Sequence, residues 1–264
     1  MIISITVFTG PVPDIITIRF YEELNDFLHY SRRKKSFTYS LTGKRTIKDI
    51  IEAIGVPHTE VDLILANQEP VSFDYHPQKN DYISVYPVFE AIDIGSINLL
   101  RPKPLRKTKF ILDVHLGTLA RYLRMLGFDT LYRNDYKDEE IVHISIKEKR
   151  IILTRDLAIL KNGKVTHGYF VRETDPKKQI FEISRRFDLK DQFKPFHRCM
   201  ECNGIIRKVD KSVVENSLKT NTRKAFKEFF MCSDCKKVYW KGSHYEKMLD
   251  LVTGLTYTEL KIKN

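Results

Sequence analysis

The chain has 264 residues, is 42% hydrophobic and 30% charged, and carries a formal net charge of +11. This is enough for one large domain or two to three small ones with ordinary cores. No apolar run approaches the ~20 residues of a membrane span. Met1–Val7 is apolar, but no basic segment precedes it and no small-residue cleavage site follows, so a cytoplasmic protein is expected.

The charge is unevenly spread. Residues 1–100 hold 9 Lys+Arg against 13 Asp+Glu, whereas residues 101–264 hold 36 against 21. A basic second part suits a polyanionic partner, nucleic acid above all, although solubility alone would also account for it. The four cysteines fall in two C-x-x-C pairs, Cys199/Cys202 and Cys232/Cys235. In a cytoplasmic chain that pattern favours a metal over disulfides.

In chain order, Ile16–Tyr21 alternates like a strand, Glu22–Leu28 suggests a helical turn or two, and Ser36–Leu41 alternates again. Thr46 is an N-cap, with Asp49 three positions on. Ile47, Ile50, Ile51 and Ile54 then form one helical stripe, stopped by Gly55 and Pro57. Val61–Ala66 reads as a strand, Asn67–Pro70 as a turn and Tyr82–Tyr86 as a last strand. This arrangement, with the run VDLILANQEPVSFDYHPQKNDYISVYPVFE, resembles the ubiquitin-like β-grasp sulfur carriers for thiamine and molybdopterin. Those carriers end in Gly-Gly. Here no Gly-Gly occurs and the chain continues, so docking to a protein partner or a folding role is expected rather than sulfur transfer. The β-grasp domain is assigned to residues 1–92. The Pro-containing basic run within Glu90–Lys107 marks a linker at 93–107.

From Lys109 the pattern becomes strand–helix alternation, which argues for a three-layer α/β domain with a parallel sheet over residues 108–194. Phe110–Leu112 and Ile151–Leu153 are short buried strands running up to Asp113 and Asp156. In open parallel sheets ligands bind beyond the carboxyl ends of the strands, so two aspartates there suggest a metal site. Leu116, Leu119, Leu123 and Leu126 form the core stripe of a helix ended by Gly127. Arg121 and Arg124 share another face, which is either a solvated basic face or a phosphate contact. Asp129–Tyr132 is a short strand. Asp138–Glu140 opens a helix running to about Lys147, and acids there also complement the helix dipole. Tyr169–Val171 is a fourth strand. Asp175 and Pro176 start a helix whose inner face holds Ile180, Ile183 and Phe187.

Residues 195–264 read as a zinc ribbon and a C-terminal helix. Four thiolates suit a closed tetrahedral zinc site, with a redox pair as the competing reading. Twenty-nine residues separate Cys202 from Cys232, more than the roughly 15–20 of the common template. Val213–Phe230, basic and partly helical, fills the excess. Val238–Trp240 is a strand and Tyr245–Leu251 a last short helix.

The ordered pieces FILDVHLGTLARYLRMLGFD, DEE, RIILTRD, CMECNG and CSDCKKVYWKGSHYEKM resemble the RNase family named after the C-terminal domain of the Mut-seven exonucleases, a branch of the PIN-like nucleases with an appended zinc ribbon. The resemblance implies a metal-dependent ribonuclease in which acidic residues hold Mg²⁺ or Mn²⁺. Position by position, it assigns Asp113, Asp138 and Asp156, with Glu139 adjacent to the second and Thr154 as a ligand or orienter beside the third. A fourth acid, common in such domains, is left between Asp135 and Asp175. Arg121, Arg124 and Arg155 would hold the phosphates of a single-stranded RNA. Tyr239, Trp240 and Tyr245 are either stacking residues or ribbon core. A non-catalytic RNA- or ribosome-binding protein of the same fold is the alternative.

Overall fold

A computed structural model describes residues 14–87, 99–100 and 107–257, and divides the chain into two units, Met1–Pro104 and Leu105–Asn264. The segment Met1–Val7 and nearly all of the expected linker at 93–107 lie outside the described residues.

The first unit is a mixed sheet with one helix. Strands β1 (Ile15–Phe20), β2 (Phe37–Ser40), β3 (Val61–Ala66), β4 (Glu69–Pro70) and β5 (Tyr82–Pro87) are ordered β2-β1-β5-β3-β4, with β1 and β5 parallel. Helix α1 (Ile47–Ile54) opens with the expected reciprocal cap, in which Thr46 Oγ1 accepts from Asp49 N and Asp49 Oδ2 accepts from Thr46 N, both at 3.2 Å. Its Ile47, Ile50 and Ile51 pack with Ile16, Ile18 and Phe20 in one core. Asn67 and Gln68 both take positive φ, so the expected turn is a tight hairpin between β3 and β4.

The second unit holds a four-stranded parallel sheet of β6 (Lys109–Leu112), β7 (Asp129–Leu131), β8 (Ile151–Thr154) and β9 (Gly168–Phe170), ordered β7-β6-β8-β9. Its connections are α2 (Gly117–Met125), α3 (Asp138–Glu148) and α4 (Leu157–Leu160), and α5 (Pro176–Arg186) follows β9. Phe110 and Leu112 face a core with the leucines of α2 and Ile180 and Ile183 of α5. Ile111 and Ile152 face another with Ile141, Val142, Ile159 and Leu160 of α3 and α4. The strand pleat thus separates two apolar layers, and the domain is three-layered. Because the chain leaves β6 towards β7 on one side and later fills β8 and β9 on the other, the order reverses between β6 and β8. Open α/β sheets form a ligand crevice at such a point.

The ribbon sheet is antiparallel, β10 (Ile206–Val209), β11 (Phe229–Cys232) and β12 (Val238–Tyr239), with α6 (Lys211–Val214) and α7 (Thr220–Ala225) inserted before β11. The last helix, α8 (Ser243–Tyr257), is far longer than the expected Tyr245–Leu251. Its Val252 and Leu255 are buried in the core that β6 shares with α2 and α5, with Met248 and Leu251 packed against it. No helix among the described residues is long and apolar enough to cross a membrane.

A charged network joins the sheet to the ribbon. Arg150, only 5% exposed, donates to Asp129 Oδ1 at 2.8 Å, and Asn203 Nδ2 donates to the same oxygen at 2.8 Å. Burial alone would raise the Asp129 carboxyl, but the hydrogen bonds from Arg150 and Asn203 and the charges of Arg150 and Arg198 outweigh it and hold it below the usual carboxylate range. The stability this contributes is complete above the unfolded carboxylate value of about 3.9 and is lost as pH falls through the lower folded value. Asp129→Asn is therefore expected to flatten the pH dependence of stability below about pH 4, as read by urea unfolding across the acid range.

Candidate carboxylate site and four-cysteine centre

Asp113 is the residue after β6. Its backbone N–H donates to Leu153 O at 3.1 Å, so it continues the pairing with β8. The side chain is 5% exposed and held at both oxygens: Val114 N–H donates to Oδ1 at 2.5 Å, and the Thr154 hydroxyl donates to Oδ2 at 2.9 Å. The Thr154 oxygen in turn accepts from Asp156 N–H at 2.8 Å. Thr154 therefore ties the two acids together at the switch point, with its hydroxyl hydrogen and one lone pair engaged. Asp156 caps α4, where its Oδ1 accepts from Ala158 N–H at 2.7 Å.

Asp138 opens α3 from an exposed position. Its carboxyl is pushed up, first by burial and then by the charges of Asp156, Asp113 and Glu139. The three aspartates thus lie within electrostatic range of one another. Among the described residues, only the four cysteines form a group whose ligand atoms all lie within 4.8 Å of one another. Asp138 is the exposed member of the three, whereas Asp113 is buried and held at both oxygens. Of the two choices for a fourth acid, Asp135 is paired with Arg133 at 2.6 and 2.9 Å, and Asp175 caps α5 through Lys177 N and Lys178 N.

Two of the three expected phosphate-binding arginines are used inside the protein. Arg124 is 4% exposed: Nε donates to Thr130 O at 2.9 Å, and Nη1 donates to Met200 O at 3.2 Å and Glu201 O at 2.7 Å. It clamps the first cysteine knuckle to α2 and cannot also face a phosphate. Arg155 Nη1 donates to the carbonyls of Val171, Arg172 and Glu173, each at 2.8 Å, and so holds the loop after β9. Arg121 alone is at the surface, 60% exposed and ion-paired to Glu201 at 3.2 Å. The spacing of Arg121 and Arg124 could not separate them, because the group that buries Arg124 lies some 76 positions away.

In the ribbon, Cys199 Sγ lies 3.6 Å from Cys235 Sγ, and Cys202 Sγ lies 3.4 Å from Cys232 Sγ. Burial pushes the Cys199 thiol up, but the Tyr239 hydroxyl at 3.0 Å and the backbone N–H groups of Cys202 and Glu201 outweigh it and bring it down to about 7. Cys235 is pushed up to about 12 by burial and by its neighbouring thiols. Tyr239, one of the stacking candidates, is thus part of the cysteine cluster, and Tyr245 lies against Phe196 with centroids 4.6 Å apart.

The Mut7-C RNAse domain description matches residues 108–252, and the Mut7-C ubiquitin description matches residues 13–93. The chain belongs to the Mut7-C RNase domain family. No curated protein and no solved structure matches it.

The cysteine geometry of this Mut7-C chain fits zinc. A tetrahedral tetrathiolate with Zn–S of about 2.3 Å has sulfurs about 3.8 Å apart, close to the two distances above. A Cβ at Gly204 would lie 2.8 Å from Cys232 Sγ and 2.5 Å from an Asp234 carboxylate oxygen, so the cradle has no room for a side chain there. Four clustered thiols cannot all ionise unless a cation neutralises them, so holding one would stabilise the ribbon directly. Cys232→Ser is expected to lower zinc content and the melting temperature together, as read by elemental analysis and calorimetry. Full stability without zinc would count against a structural site. Arg124→Ala is expected to cost about 3 kcal/mol by leaving buried carbonyls without a donor. Lysine should not rescue it, because one ammonium cannot span the carbonyls of Thr130, Met200 and Glu201; denaturant titration of both variants would decide this.

Proposed function

We propose that this Mut7-C chain is a metal-dependent ribonuclease acting at the switch point between β6 and β8. Asp113, Asp138 and Asp156 would hold Mg²⁺ or Mn²⁺, and the four cysteines would hold a structural zinc. The observation that carries the reading is the Thr154 bridge, which gathers Asp113 and Asp156 at the carboxyl edge of the sheet, with Asp138 close enough that their charges push its carboxyl up. Like charges gathered at the carboxyl edge of a parallel sheet are stabilised by a hard cation, and carboxylate oxygens are the ligands such cations prefer.

The cation, when bound, would supply an activated water and neutralise the leaving oxyanion of a phosphodiester. The chain's own residues do the positioning. Thr154 orients Asp113 and holds the Asp156 backbone, so two carboxylates are fixed before substrate arrives. Asp138 keeps its rotamer freedom and completes the set. Arg121 offers a phosphate contact, because a surface ion pair of its kind is worth at most about 1 kcal/mol and exchanges readily. The domain division of 1–92, 93–107, 108–194 and 195–264 follows from this reading, with the ubiquitin-like part docking a protein partner. A cytoplasmic site of action, where thiols stay reduced, is consistent with it.

The engagement of both fourth-acid candidates, Asp135 with Arg133 and Asp175 at the cap of α5, favours a second reading, an RNA- or ribosome-binding protein that retains the fold without cleaving. The two separate cleanly. Asp113→Asn keeps the shape but removes a charge. It is expected to slow Mg²⁺- or Mn²⁺-dependent RNA cleavage by on the order of a hundredfold or more. It should also abolish the thermal stabilisation by those ions, while RNA affinity stays nearly unchanged. Arg121→Ala is expected to weaken binding and reduce its salt slope by about one ion. Cleavage at the wild-type rate by the Asp113→Asn protein would sink the site assignment. RNA binding without cleavage by the wild type under any divalent cation would favour the second reading.

A further inference from the structure

The carboxylate site accounts for no part of the ribbon's outer surface, where an aromatic pair is set among lysines. Trp240 follows β12 and remains 39% exposed. Its ring lies 6.3 Å from that of Phe226, centroid to centroid, at 43°. Both rings rest on Gly242: a Cβ there would lie 3.1 Å from the indole Nε1, 3.3 Å from Cδ1 and 3.5 Å from Phe226 Cζ. The backbone therefore packs tightly along one edge of the indole, where an added Cβ would push the ring by a few tenths of an ångström, while much of the ring stays in solvent.

A lone exposed aromatic needs no explanation. Here charge supplies the second observation. Lys224 and Lys227 flank Phe226 and Lys241 follows Trp240, all three exposed. Lys208 and Lys241 share a single anion, Glu228, at 2.6 and 3.3 Å, which leaves that group net positive. A ring packed along one edge, in a stretch where exposed lysines adjoin both aromatic residues in the chain, suits a nucleotide of a single strand, whose base would stack on the ring and whose phosphates would meet the lysines. A duplex offers no unstacked base, and an acidic protein would use the lysines without the ring.

We propose that Trp240, backed by Phe226 and Gly242, is a stacking platform for one unpaired base of single-stranded RNA, at a position on the ribbon separate from the carboxylate site. This rests on the ribonuclease reading only in taking RNA as the ligand. It explains why the insert between the two cysteine knuckles is long and basic, since that insert supplies Phe226, Lys224 and Lys227.

The chain has a single tryptophan, so its intrinsic fluorescence reports on this ring alone. Short oligouridine and oligoadenosine are titrated into the full-length zinc-loaded protein without added Mg²⁺ or Mn²⁺. Tryptophan quenching and the anisotropy of end-labelled strands are followed together. Saturable quenching is expected to track the anisotropy. Trp240→Ala is expected to weaken binding roughly tenfold, and Trp240→Phe much less, with zinc content and melting temperature unchanged in both. Gly242→Ala, which displaces the ring, should weaken binding in the same direction. Anisotropy binding with no quenching and with unchanged Trp240→Ala affinity would overturn the platform and leave the ribonuclease reading standing. Equal quenching by polyglutamate would show a charge-only surface and overturn it too. Absence of binding to any single strand would overturn both.

Discussion

The parallel register of β6 against β8 is the constraint on which the second unit depends. Leu112 lies opposite Leu153, so Asp113 and Thr154 come next on their strands and reach the same edge together. Side chains alternate across a strand, so a slip of one residue would turn Phe110 and Leu112 out of one core and Ile111 out of the other. Both apolar layers hold that register, and the polar edge inherits its geometry from them. The Thr154 hydroxyl then needs only its ordinary reach to meet Asp113. The sheet interior, with its continuous apolar runs, thereby positions carboxylates that it does not itself contain.

The ribbon is bound into that framework. Arg124 reaches from α2 to the carbonyls of the first knuckle, Asn203 reaches back to Thr130 and Asp129, and Asp129 receives Arg150 from the edge of β8. Arg124, Asn203 and Arg150 are buried, and each has its hydrogen-bond partners within the network. Removing any one therefore leaves a desolvated polar group behind, which costs more than the bond contributes net. The cysteine knuckle and the nuclease sheet thus behave as one body.

Much of this was readable from local pattern. The leucine stripe from Leu116 to Leu126, the stop at Gly127, the reciprocal cap at Thr46 and Asp49, and the paired cysteines are all short-range features, and each appears where spacing put it. Arg124 and Arg155 were not readable as clamps, because their acceptors are backbone carbonyls that the fold brings in from elsewhere in the chain, and carbonyls leave no mark in a sequence. The full length of α8 was legible in principle: Met248, Leu251, Val252 and Leu255 repeat at i, i+3, i+4 and i+7. Gly254 within the stripe disguised it. The carboxylates stand between these cases. Their edge followed from the strands, whereas the hydrogen bonds through Thr154 that orient them depend on rotamers that no pattern encodes.

The burial of Val252 and Leu255 in the same core as Phe110 and Leu112 has a consequence for the order of assembly. When the ribosome has delivered the four strands, the helix that completes this core has yet to emerge. That helix follows the whole ribbon, so the two cysteine knuckles emerge, and could capture a metal, before α8 covers its face of the sheet domain. Contacts spanning some 140 positions make that closure slow. Metal capture by the ribbon would shorten the effective loop and hold α8 close to the surface it must cover. If the ribbon holds a metal, its scarcity would slow the completion of the neighbouring core, an effect on folding separate from any on catalysis.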